Sequence, residues 1–142
     1  MNFFRSSCVY LIYNKKGVKM KEITDKIIGC AIEVHRELGP GLLESSYENC
    51  LKYLLLKEGL DVRSQVGLTL KFHDVNLEIG YRIDLLVENK IILEIKSVDN
   101  LNDIHLAQIL TYMKLSKSKL GYLMNFNVTL MKDGLRRVVN SY

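Results

Sequence analysis

The stretch "YRIDLLVENKIILEIKS", residues 81–97, decides how this chain folds. Two short runs rich in isoleucine, leucine and valine flank Glu88, Asn89 and Lys90, the pattern of two buried strands joined by a tight turn. Each run is interrupted by charge: Asp84 in the first, Glu94 and Lys96 in the second. Burying an unpaired charge is costly, so a buried strand carries such groups only where a partner or a ligand answers them. Alternation puts Glu94 and Lys96 on one face. The face of Asp84 depends on the turn. A two-residue loop at Asn89 and Lys90 sets Asp84 opposite Ile95, whereas a three-residue loop at 88–90 sets it opposite Glu94, with Arg82 opposite Lys96.

In the second register two carboxylates and one ammonium converge. Neighbouring carboxylates repel, and a hard divalent cation such as Mg²⁺ relieves that repulsion while leaving positions for water and phosphate oxygens. Lys96 beside such an ion is suited to orient an attacking water or to stabilise developing negative charge. Phosphodiester hydrolysis is the chemistry this set serves most simply.

Working outward, residues 22–38 carry Ile23, Ile27, Ile28, Ala31, Val34 and Leu38 at helical spacing, with Thr24 and Asp25 as candidate caps. Gly39, Pro40 and Gly41 end that helix. A second helix is expected over about 42–58, burying Leu43, Tyr47, Leu51, Leu54 and Leu55, with Gly59 as its stop. The period then changes to that of strands at 66–72, 77–87 and 91–97, with "HDVN" as a turn. Helical spacing returns over 101–116 through Ile104, Ala107, Ile109, Leu110, Met113 and Leu115, capped by Asn102 or Asp103, and strands follow at 119–126 and 135–140. The order ααβββαββ predicts an α/β domain with a mixed central sheet flanked by helices. Residues 1–19 read as a flexible leader or as sequence upstream of a start at Met20, the alternative being an added strand and turn; residues 20–142 read as the single domain.

Composition narrows the partners. The chain has 142 residues and a net charge of +4, but Arg5, Lys15, Lys16 and Lys19 supply that excess, and residues 20–142 hold 16 basic against 16 acidic side chains. A polyanion would therefore meet a local patch. Cys8, Cys30 and Cys50 lack zinc or iron–sulfur spacing, and a reducing cytoplasm is the expected setting. The apolar run "CVYLIY" is too short for a signal-peptide core or a membrane span, so no membrane partner is expected.

Asp84 followed by Glu94, Ile95 and Lys96 resembles the PD-(D/E)XK nuclease signature, an acid on one strand and E-x-K on the next. More specific is "GLLESSY", residues 41–47, which resembles the defining motif of the small GxxExxY family, a branch of that superfamily. The likeness continues through "HLAQILTYMKLS", "GYLMNFN" and "RRVVN", covering residues 22–140. The resemblance implies a restriction-endonuclease-like core. It implies Glu44, Asp84 and Glu94 as ligands of Mg²⁺ or Mn²⁺, Lys96 as the catalytic lysine, and Gln108 and Tyr112 as the supporting Q-x-x-x-Y element. Gly80 to Ile83 departs from the pattern, since no proline precedes the acid.

Blander readings stand beside these. Glu94 and Lys96 on a solvated edge strand would form a weak ion pair worth under ~1 kcal/mol. Glu44 alone is a helix first-turn acid favoured by the dipole. His35 and His105 read as structural, Tyr47 as core, and Lys114, Lys117, Lys119, Arg136 and Arg137 as solvated charge unless they meet phosphates. Two functional expectations follow. The first is a metal-dependent nuclease acting on DNA rather than RNA, with a homodimer by analogy. The second is a silent module of the same fold that binds nucleic acid or a protein partner.

Overall fold

The computed structural model describes residues 18–78 and 80–140. Of the expected leader at 1–19, residues 1–17 lie outside the described residues, and residues 18 and 19 belong to the first helix described. The described residues form α1 (Val18–Leu38), α2 (Glu44–Lys57), β1 (Val62–Gly67), β2 (Leu70–Phe72), β3 (Val75–Leu77), β4 (Arg82–Val87), β5 (Ile91–Lys96), α3 (Asp103–Ser116), β6 (Leu120–Asn125) and β7 (Leu135–Val139), with a 3₁₀ turn at Met131–Gly134.

The five-stranded sheet runs in the order β1-β4-β5-β6-β7. Only β5 and β6 are parallel, because α3 provides the crossover that a parallel pair requires; every other pairing in the sheet is antiparallel. One face carries Leu85, Val87, Ile91, Leu93, Ile95, Tyr122 and Met124 against α1 and α2. The other carries Leu86, Ile92 and Leu123 against Ile109, Tyr112 and Met113 of α3. Glycine at 121 lets α3 approach, since a Cβ there would stand 3.1 Å from Ile109 Cδ1 and Met113 Sδ. The result is a mixed sheet between two helical layers, as the sequence order implies. Among the described residues, no helix is long and apolar enough to cross a membrane.

Several local expectations change. The helix starts at Val18, so Thr24 and Asp25 lie inside it: the Thr24 hydroxyl donates to the Lys21 carbonyl at 3.0 Å, and Asp25 pairs with Lys21 at 2.8 Å. Leu43, which caps α2, is 75% exposed, and the buried residues of α2 are Tyr47, Leu51 and Leu55. The expected strand at 66–72 is two strands, β1 and β2, and that at 77–87 is also two, β3 and β4. Thus β2 and β3 pair only as a separate two-stranded ribbon around His73 and Asp74. Residues 104, 107 and 110 of α3 are exposed rather than core. Asn102 is the cap of α3, its side chain accepting from Ile104 and His105 N–H while His105 Nδ1 accepts from Asn102 N–H. His35 has its expected structural place, with Nε2 2.7 Å from the Val128 carbonyl.

The turn between α1 and α2 is held from within. Gly39 and Gly41 adopt φ values of 67° and 97°, where a glycine is favoured. Fully buried Tyr47 stacks on Phe126 with ring centroids 4.6 Å apart. Its hydroxyl donates to Gly39 O at 2.6 Å and accepts from Leu42 N–H at 3.1 Å. Tyr47→Phe keeps the ring and orphans both backbone groups, so it is expected to destabilise the protein by about 1–3 kcal/mol. Urea denaturation followed by circular dichroism checks this, and an unchanged midpoint would mean that the turn holds without the hydroxyl.

Candidate active site

The turn after β4 spans Glu88, Asn89 and Lys90, and the ladder beyond it pairs Val87 with Ile91, Leu86 with Ile92 and Leu85 with Leu93. This is the three-residue register. Continued by one residue it sets Asp84 opposite Glu94, but backbone pairing stops at Leu85, so Arg82 does not pair with Lys96. Arg82 pairs instead with Gly67 of β1.

The ladder stops because side chains take over its donors. Asp84 N–H donates to Glu94 Oε1 at 3.2 Å, and Ile95 N–H donates to Asp84 Oδ2 at 2.8 Å. The face alternation fails at the same point. Leu85 and Val87 belong to the α1–α2 core, yet Ile83, two residues earlier, belongs to the α3 core. In β1 the ladder skips Gln65, the residue opposite Asp84, and Gln65 takes a left-handed φ of 53°. A non-glycine residue in that region is strained by roughly 1–3 kcal/mol. Its amide gains position: Nε2 donates to Glu48 Oε1 at 2.8 Å and reaches Asp84 Oδ1 at 3.4 Å.

Two carboxyl groups thus stand near Asp84, Glu94 through the Asp84 backbone N–H and Glu48 through Gln65. Glu94 is 3% exposed, and burial first, then the Asp84 charge, push its pKa from 4.5 to about 8. Glu48, half-buried on α2, is also raised, by burial and then by the Asp84 charge. Burial is the larger cause of both rises, and the repulsion from Asp84 adds a part that a cation would relieve. Oxygen donors of this kind suit a hard divalent ion such as Mg²⁺. Among the described residues, no three acidic, histidine or cysteine side chains yet converge tightly enough to enclose an ion.

The lysine is held from the other layer. Lys96 Nζ donates to Gln108 Oε1 at 2.7 Å, and Gln108 Nε2 donates to the Tyr112 hydroxyl at 3.0 Å. Burial raises the Tyr112 pKa most, with Glu94 and Asp84 adding to the rise. Glu44 is exposed, and its Oε2 accepts from Ser97 N–H at 3.1 Å, just past Lys96, while the Ser97 hydroxyl donates to Leu42 O at 2.8 Å.

The structure thus brings Asp84 and Glu94 together and links Lys96 to Gln108 and Tyr112. It seats Glu44 at the end of β5, and the helix acid beside Asp84 is Glu48. Glu48 lies four residues after Glu44 on the same face of α2, and that spacing was its signal in the sequence. Nothing in the sequence marked Gln65. Lys114, Lys117 and Lys119 line the opposite end of β6, since Leu120 pairs with Ile91 whereas Asn125 pairs with Lys96.

A family model described as the PD-(D/E)XK nuclease superfamily matches residues 21–138. No curated protein and no solved structure matches the chain.

The buried acid has a consequence for stability. The native state holds the Glu94 proton more tightly than the unfolded chain does, so its contribution to stability is complete below about 4.5 and is lost as the pH rises toward 8. Without metal ions, the urea midpoint is expected to fall across that window. Glu94→Gln should flatten the fall, and an equally steep one in the variant would assign it to other groups.

Proposed function

The chain belongs to the PD-(D/E)XK nuclease superfamily, and from this we propose that it is a metal-dependent nuclease that hydrolyses phosphodiester bonds in DNA. The mixed five-stranded sheet flanked by helices agrees with the restriction-endonuclease-like core of that superfamily. The observation that carries the reading is the pairing of Asp84 with Glu94 at one sheet end, their carboxyl groups accepting from backbone N–H groups, with Lys96 two residues on and its ammonium held by Gln108. The "GLLESSY" segment supports the finer placement in the GxxExxY branch.

A bound Mg²⁺ or Mn²⁺ would neutralise charge on the phosphate and make a coordinated water more acidic. Asp84 and Glu94 are the residues that would hold it, and Glu48 is the third carboxylate from α2. Glu44, expected at that place from the motif, fixes the chain after β5 through Ser97. For ion binding Glu94 must lose its proton, which burial holds there in the metal-free protein. Lys96 would donate to a phosphate oxygen or orient the attacking water, with Gln108 and Tyr112 setting its direction.

Calorimetric titration of Mg²⁺ and Mn²⁺, followed by incubation with mixed DNA, tests this. Wild type should bind metal and cut DNA, while the Asp84→Ala, Glu94→Ala double variant should do neither. Lys96→Met should keep metal binding and lose at least about 100-fold in cutting rate. A wild type that neither binds nor cuts leaves a silent module of the same fold.

The two helix acids separate in the same titration. Glu48→Gln is expected to weaken metal affinity about tenfold or more, and Glu44→Gln by much less. The reverse order would make Glu44 the third ligand.

A further inference from the structure

Beside the acid cluster, and sharing Lys96 with it, lies a cavity of about 600 Å³ between α3 and the β2–β4 region. Its walls include Leu70, Tyr81, Ile104, Thr111 and Tyr112. Ile104 is 76% exposed and Tyr81 43%, so apolar and aromatic surface faces water here. The Tyr81 and Tyr112 rings stand 6.3 Å apart at a tilt of 50°. Such surface beside a phosphate-directed lysine invites a flat, weakly polar ligand.

We infer that this pocket takes an unstacked nucleobase adjoining the scissile phosphate, making single-stranded or locally unpaired DNA the substrate class. The inference rests on the nuclease reading above. Lys96 belongs to both places, so a phosphate held at the acids has a neighbouring nucleoside within reach of the pocket. The polar complement is spare and already engaged: Gln108 accepts from Lys96 and donates to Tyr112. His105 Nδ1 accepts from the Asn102 N–H that closes the capping box. Gln108 is thereby committed to orienting Lys96, and the Tyr81 and Tyr112 rings are the surface offered to a base, so recognition rests on stacking, which is tolerant of sequence. A paired base inside a duplex reaches this slot only by leaving its stack, which costs a few kcal/mol. The pocket therefore favours strands whose bases are already free.

The chain contains no tryptophan, so Tyr81→Trp keeps a stacking ring and adds a single reporter. Wild type with Mg²⁺ is expected to cut a mixed-sequence single strand with higher kcat/KM than the matching duplex. Tyr81→Ala should lower the single-strand value about tenfold and leave the duplex value unchanged. Ala107→Trp, which fills the cavity from an exposed helix position, should do the same. Tyr81→Trp should restore cutting, and a single strand added without metal should quench its fluorescence. Preference for duplex, equal losses on both substrates, or an unquenched tryptophan would overturn the pocket while leaving the nuclease reading in place. A wild type that cuts neither substrate would overturn both.

Discussion

Two backbone N–H groups, those of Asp84 and Ile95, donate to carboxylates rather than to the neighbouring strand, and the site depends on that exchange. A ladder continued past Leu85 would give these N–H groups carbonyl partners on the neighbouring strand and leave the two carboxyl groups without them. Carboxyl oxygens of Glu94 and Asp84 accept in place of the lost carbonyl partners, so these N–H groups remain satisfied. The strands turn over at the same point, and Gln65 takes a strained backbone to follow them. Strain of this kind persists where the surrounding structure over-determines it.

The opening is reached from both helical layers. From α2 come Glu48 to Asp84 and Glu44 to Ser97; from α3 come Gln108 and Tyr112 to Lys96. The "GLLESSY" segment can be read physically as a joint. Gly41 supplies the turn, Tyr47 locks it through Gly39 and Leu42, and Glu44 with Ser97 ties the start of α2 to the end of β5. Asn125 extends the tie, its side chain bonding Val98 on both N–H and carbonyl. The residues after Lys96 are thereby fixed to β6 as well.

The central hairpin was legible because its apolar runs are short and dense, and its charges stood out because they interrupt those runs. Register was legible only as two alternatives, since loop length is not encoded by composition. The β2–β3 ribbon was not legible. "VGLTLKF" alternates smoothly, and nothing in it announces that the chain leaves the sheet after Gly67. The start of α1 was missed because its apolar periodicity begins only at Ile23. At the site, residues on strands were found through their anomalous charge. Glu48 was passed over because a helix acid is ordinary, and Gln65 because its importance lies in a φ value and in what stands opposite it.

The β2–β3 ribbon has three residue pairs and no partner strand in the main sheet. A two-stranded ribbon of that size has little stability of its own. It exposes Phe72, Val75 and Leu77, and β2 supplies Leu70 to the cavity beside Lys96. One wall of that cavity is therefore a firm helix anchored on the sheet, and the other is joined to a soft arm. A base seated there as inferred above would have to order the arm, and the entropy of that ordering would be subtracted from its affinity.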